Sequence, residues 1–235
     1  MQSIGTLIGI QRFPVKGMAG ESLDPAEIGP RGIEGDRRYA FQRVGSLDPF
    51  PYLGVSKLAE MVHYKTRWTG SEHGDIEVTT PDGQLFDVKS EALREHLSAV
   101  DRRELRLTRI WRGAFDENPL SLIGTATLDA LARETGVPMD ARRFRMNFVV
   151  QTDTPFIEDT WIGNIVCFGE GDGAPSMHIV MRDMRCSMIN VDPDTGAKNA
   201  AVLKTVTQKH DACAGVYGDP FRGGVARVGV PIFIA

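Results

Sequence analysis

The sequence predicts a β-rich α+β protein, with an N-terminal β-barrel-like part, a second β-barrel and a few short helices. Two observations lead there. Short apolar or alternating runs, bounded by glycine and proline, recur along the whole chain. Helical periodicity is confined to three brief stretches, with no internal repeat and no low-complexity tract. A length of 235 residues suits one large domain or two small ones, and 42% hydrophobic residues suffice for a buried core.

In chain order, Thr6 to Phe13 reads as an apolar strand closed by Pro14, and Arg38 to Val44 alternates polar and apolar. Between them, Gly29-Pro30-Arg31-Gly32 and Ile33-Glu34-Gly35-Asp36 form a shaped loop, because glycine admits positive φ. Tyr52 to Trp68 is ambiguous between helix and irregular structure. Asp75 to Thr80 and Gln84 to Lys89 flank Pro81-Asp82-Gly83, a hairpin signal. Ser90 caps a helix over Glu91 to Ser98, with Leu93 and Leu97 one turn apart. Leu105 to Trp111 is a strand, followed by the polar run Asp116-Glu117-Asn118-Pro119, where the main division of the chain falls. Ala126 to Thr135 is a second helix ended by Gly136. Strands follow at Met146 to Gln151, Ile165 to Phe168, His178 to Met181 and Ser187 to Val191. A third helix covers Ala200 to Thr207, and Val225 to Ile234 closes the chain as a strand.

Composition excludes several functions. Three cysteines, Cys167, Cys186 and Cys213, cannot supply a disulfide framework, a four-cysteine zinc site or an internal iron–sulfur cluster. A net charge of −4 argues against a nucleic-acid partner while allowing a local pocket for an anion. Neither a secretory signal nor an apolar run of membrane-spanning length occurs, so a cytoplasmic protein without a membrane span is expected. The five histidines form no zinc-hydrolase pattern, and no nucleophile elbow, phosphate-binding loop or dinucleotide fingerprint is present.

Two sets of residues could carry chemistry. Cys167 lies in an apolar run and Cys213 between alanines at the entrance of a glycine-rich loop, whereas Cys186 follows Arg185 and precedes Asp192-Pro193-Asp194-Thr195-Gly196. A guanidinium beside a thiol favours the thiolate, which attacks electrophiles or ligates soft metals. The alternative is a packing thiol beside a surface arginine. The second set is basic: Lys16 at a strand end, Arg37 and Arg38, and Arg142, Arg143 and Arg145 before Asn147. These could converge on one phosphate, or each could pair with a nearby acid such as Glu34, Asp36 or Asp140.

Five segments, in order, then resemble a known family: Phe13-Pro14-Val15-Lys16-Gly17, Gly35-Asp36-Arg37-Arg38-Tyr39, Arg143-Phe144-Arg145-Met146-Asn147, Glu158-Asp159-Thr160-Trp161, and Arg185-Cys186 leading into Val191-Asp192-Pro193-Asp194-Thr195-Gly196. Together they resemble MOSC-domain proteins, those related to the C-terminal domain of molybdenum cofactor sulfurases. More narrowly they are similar to the two-part branch that includes the mitochondrial amidoxime reducing components. The resemblance implies an N-terminal β-barrel-like domain over residues 1–115 and a MOSC domain over 116–235. It also implies a molybdenum cofactor (molybdenum held by molybdopterin), with Cys186 as the metal ligand. Lys16 and Arg37 would hold the cofactor's phosphate, and Arg145 and Asn147 the phosphate or pterin edge. Arg185 joins the cofactor-binding set, Asn118 belongs to it by position, and Asp192 could orient a proton donor.

The activity so implied is reduction of N-hydroxylated, N-oxide or S-oxide small molecules. Electrons would come from a separate protein (a ferredoxin, a flavoprotein reductase or a cytochrome b5-like donor). The alternative is a carrier that passes cofactor, or sulfur held as a Cys186 persulfide, without reductase turnover. The pyridoxal-phosphate domain of a complete sulfurase does not fit in this length. The chain departs from the family at Met146, where proline is common, at Met184 before the Arg-Cys pair, and at Gly17-Met18-Ala19-Gly20.

Overall fold

The computed structural model describes residues 2–70 and 75–235. The strands, in order, are β1 (Gln2–Arg12), β2 (Glu21–Ser22), β3 (Ala26–Gly29), β4 (Gly32–Ile33), β5 (Tyr39–Arg43), β6 (Lys65–Trp68), β7 (Ile76–Thr79) and β8 (Leu85–Asp87). They continue with β9 (Leu105–Arg109), β10 (Leu120–Gly124), β11 (Phe148–Gln151), β12 (Ile165–Phe168), β13 (Ser176–Met184), β14 (Cys213–Arg222), β15 (Gly224–Ala226) and β16 (Pro231–Ile234). The helices are α1 (Glu91–Asp101), α2 (Thr125–Thr135), α3 (Ala141–Phe144) and α4 (Ala201–His210).

The main body is a closed seven-stranded mixed barrel in the order β11-β10-β14-β13-β12-β16-β1, with β1 returning to β11. Only β10 and β11 run parallel, and α2 and α3 lie on the connection between them, as a parallel pair requires. Leu7 and Ile10 of β1 point inward with Leu122, Phe148, Val166, Ile179, Val216 and Ile232. β1 therefore belongs to a barrel whose other strands lie between Leu120 and Ile234. Outside the barrel, Leu128 and Leu131 of α2 meet Val202 and Val206 of α4 over Ile123 and Met146.

The described residues of 39–109 surround a second core. The β5–β9 ribbon and the β6-β7-β8 sheet enclose Val15, Met18, Phe41, Leu53, Tyr64, Val78, Leu93 and Leu97. The hairpin at Pro81-Asp82-Gly83 is present, and Ser90 Oγ accepts from the Leu93 amide to start α1. The ambiguous stretch 52–68 resolves into a 3-10 turn at Ala59–His63 followed by β6.

Three expectations need correction. Ser187 to Val191 is a 3-10 turn over Ser187–Asn190, not a strand. Val225 to Ile234 is two short strands, β15 and β16, interrupted at Gly229 with φ 88°. The glycine-rich segment after Cys213 is the ten-residue strand β14, paired with β13 through three register shifts. There the glycines serve bulges: a Cβ on Gly218 would sit 2.4 Å from the His178 carbonyl oxygen.

Candidate functional site

The site is built at the ends of β1 and β13. β1 ends at Arg12, and the Lys16 amide then donates to the Tyr39 carbonyl at 2.8 Å, fixing the backbone. The Lys16 ammonium is buried, donating to the Ala114 carbonyl at 2.7 Å and to Asp116 Oδ1 at 2.8 Å. Burial lowers its pKa, against the opposing pull of Asp116. Burial pushes the Asp116 pKa up, but Lys16, Arg37 and Arg145 together hold it below the usual carboxylate range.

Arg37 adopts a left-handed backbone, φ 51°, which separates its side chain from that of Arg38. The fully buried Asp36 beside it accepts from the Phe13 amide at 2.6 Å and pairs with the Arg37 guanidinium. Arg37 also donates to the Arg145 carbonyl at 2.8 Å. Arg145 is itself left-handed, φ 55°, where α3 ends. Its guanidinium donates to the Met18 carbonyl at 2.6 Å and lies 4.2 Å over the Phe13 ring. Among the described residues no carboxylate pairs with it, and Arg145 Nη2 is buried without a hydrogen-bond partner. Burial and the Arg37 charge pull its pKa down to about 9.

At the end of β13, Arg185 pairs with the buried Asp183 and donates to the Phe144 carbonyl. Burial raises Asp183 to about 6 despite that pairing, and burial together with Asp183 raises Tyr217. Cys186 follows at the start of the 3-10 turn and is exposed, whereas Cys167 and Cys213 are buried. The Arg185 Nη atoms thus serve Asp183 and Phe144, its Nε is buried without a hydrogen-bond partner among the described residues, and it lines the same cavity as Cys186.

Lys16, Arg37, Arg145, Arg185 and Cys186 all line one cavity of about 430 Å³. Both parts of the chain contribute walls to it, and Met184 stands on its rim, largely exposed. A neighbouring cavity of about 570 Å³ shares Val55, Arg145 and Met188 with it. The other predicted residues stand apart from these walls. Asn147 is buried, accepting from the Ser121 amide and hydroxyl and donating to Gln11 and Asp36. Asn118 donates to Asp219 at 2.9 Å. Asp192 accepts from the Asp194 and Thr195 amides and pairs with Arg143, holding the 192–196 turn. Asp183 and Tyr217 are wall residues that sequence reasoning passed over, since neither sits in a recognisable motif.

Chemically, the cavity offers fixed positive donors and one accessible thiol. The unpartnered Arg145 Nη2 is a donor awaiting an acceptor, so the residues fit an anionic group. Among the described residues no group of three or more His, Cys, Asp or Glu could hold a metal ion. An exposed thiol such as Cys186 could act as a single protein ligand to a soft metal whose other ligands arrive with it. No helix among the described residues is long and apolar enough to cross a membrane.

Comparison with known proteins agrees with this architecture. The chain is 25% identical over 233 residues to a molybdenum cofactor sulfurase of Caenorhabditis briggsae, covering 84% of this chain and 31% of that protein. A molybdenum cofactor sulfurase of Caenorhabditis elegans is 34% identical over 118 residues, covering 45% of this chain and 15% of that one. The chain thus spans about a third or less of the length of these curated relatives. In fold it is similar to the YUAD protein from Bacillus subtilis, with a TM-score of 0.53 at 12% identity, covering 98% of this chain and 94% of that one. The MOSC domain family model matches residues 94–233, which take in β9 to β15, most of β16, Arg145, Arg185 and Cys186, and the chain belongs to that family.

Proposed function

We propose that this chain holds the molybdenum cofactor in the cavity at Cys186 and reduces N-hydroxylated, N-oxide or S-oxide small molecules with electrons from a separate donor protein. The observation that carries this reading is the convergence of Lys16, Arg37 and Arg145 on one cavity with the exposed thiol of Cys186. When bound, the cofactor supplies a two-electron couple and a metal able to take oxygen from the substrate. Cys186 would ligate the metal, and Lys16, Arg37 and the free Nη2 of Arg145 would hold the phosphate. Asp183, at about 6, can hold a proton at mildly acidic pH, and the raised Tyr217 stays protonated as a hydrogen-bond donor.

A second reading is a carrier in which Cys186 holds sulfur as a persulfide. It draws support from the curated relatives, both molybdenum cofactor sulfurases, and from the exposure of the thiol. Purification from a host that makes the cofactor tests the first reading. Wild type should retain near-stoichiometric molybdenum and released pterin, and Cys186→Ala should lose the metal. Equal molybdenum in the two proteins, or none in wild type, overturns it. Benzamidoxime reduction with an artificial electron donor then separates reductase from carrier, since persulfide labelling confined to Cys186 without turnover favours the carrier.

A further inference from the structure

On the other side of the segment that carries Arg37 lies a cavity of about 340 Å³ sharing no wall residue with the one at Cys186. Among the described residues, Arg31, Arg38 and Arg109 line it together with Trp68, Trp111 and a single carboxylate, Glu34. The left-handed turn at Arg37 divides the arginine pair, giving Arg37 to the first cavity and Arg38 to this one.

Arg38 is 5% exposed, yet among the described residues its Nη2 has no hydrogen-bond partner. Its Nη1 donates to the Trp111 carbonyl at a long 3.4 Å. Glu34 Oε2 is 3.7 Å from Arg38 and 3.9 Å from Arg31, beyond hydrogen-bond reach of both. Among the described residues that line the cleft, one half-exposed carboxylate faces three guanidinium groups, a positive excess. Burial lowers the Arg38 pKa, and Arg31 and Arg109 lower it further against the opposing pull of Glu34 and Asp36. A buried donor of this kind, left open, is costly unless something accepts from it.

The aromatic residues are held in place too. The Arg31 guanidinium stacks 4.0 Å from the Trp111 ring centre, and Trp111 is 70% exposed despite its size. Trp68 rests against Gly35, where a Cβ would come within 2.7 Å of the indole, so only glycine seats the ring there. An indole and a guanidinium fork facing one cleft suit a flat ring carrying a negative headgroup. The volume admits one such molecule and no polymer.

We propose that the cleft between Trp68 and Trp111 is a second binding site, for a small aromatic oxyanion whose phosphate or carboxylate meets Arg38 and Arg109. It is independent of the molybdenum reading.

The test is tryptophan emission of the full chain titrated with phenyl phosphate, benzoate and inorganic phosphate, with calorimetry for stoichiometry. The third tryptophan, Trp161, is buried in the barrel core, so a change in emission reports on Trp68 and Trp111. Phenyl phosphate or benzoate should give a saturable change, the better of the two setting the headgroup, and inorganic phosphate should bind more weakly. Arg38→Gln should weaken binding about tenfold or more. Arg109→Ala, at an exposed position, should weaken it in the same direction and guards against misfolding of the first variant. Lys16→Ala, in the other cavity, should leave the titration unchanged. The proposal is overturned by no saturable response, by one indifferent to Arg38→Gln and Arg109→Ala, by one lost in Lys16→Ala, or by phosphate binding as well as the aromatic probes.

Discussion

Replacing Arg145 with methionine should stabilise the protein and remove its hold on anions. The guanidinium is buried, stacked on Phe13 and paired with no carboxylate among the described residues, and burial beside Arg37 drags its pKa to about 9. At neutral pH the guanidinium is still charged, so that depression reflects the cost of keeping the charge inside. Relative to its ordinary value the cost is of order 5 kcal/mol. The sign follows from linkage. The unfolded chain keeps this proton to higher pH than the folded one, so the penalty is in full force at neutral pH and eases only above about 9.

Against the gain stand two losses. The bond to the Met18 carbonyl, 2.6 Å, is worth about 2 kcal/mol as a charge-assisted contact. The Phe13 stacking, at 4.2 Å, adds roughly 1 kcal/mol. A net stabilisation of about 2 kcal/mol remains, or a Tm rise of roughly 4–8 °C for a chain of this size. Methionine fills similar volume and faces the same left-handed backbone cost as arginine, so Arg145→Met isolates the charge. Differential scanning calorimetry with and without inorganic phosphate checks it: wild type should rise in Tm with phosphate, and the variant should start higher and rise less. A variant that melts below wild type would refute the reasoning and make Arg145 a structural residue.

Two other outcomes follow from the barrel. Glu158 is fully buried, accepting from the Gly124 amide at 3.1 Å and the Thr127 hydroxyl at 3.0 Å, and burial raises its pKa above 4.5. Because the folded state holds this proton longer, its contribution is complete below about 4.5 and is lost as pH rises through the raised value. Urea titrations should therefore show Glu158→Gln gaining on wild type from acid to neutral pH, and Glu158→Ala losing about 2–3 kcal/mol; an unchanged gap between wild type and Gln across that range counts against it. Gly215 has φ +78°, and a Cβ there would lie 2.2 Å from Met146 Cε and 2.8 Å from the Leu122 carbonyl oxygen. The methionine can swing aside but the carbonyl cannot, so Gly215→Ala should cost about 2–4 kcal/mol in a denaturant titration. A loss under about 1 kcal/mol would show that β14 can shift.

Several elements were legible because their signals are local. The Pro81-Asp82-Gly83 hairpin, the Ser90 cap of α1 and the Gly136 end of α2 each depend on the conformational preference of a few adjacent residues. β14 was misread because Gly215 and Gly218 are breakers by composition, and only the partner strand β13 explains them as bulges. The site divides in the same way. Short motifs pointed to Lys16, Arg37, Arg145, Arg185 and Cys186, which line one cavity. Asn147 and Asp192 occur in the same motifs, but their atoms are occupied by Ser121, Gln11 and Asp36 in one case and by the 192–196 turn and Arg143 in the other.

By itself the sequence determined the β-rich class, the family and the thiol worth testing, since these rest on composition and on residues within a few positions of one another. Barrel closure needs the pairing of Thr6 with Gln151, 145 positions along the chain, and hydrophobic period alone does not choose between such distant partners. Charge was likewise undecided: −4 over the whole chain conceals positive clefts. Only the tertiary structure set Arg37 and Arg38 into different cavities and left Arg145 buried without an acid, because burial and distance, not residue counts, decide which charges meet.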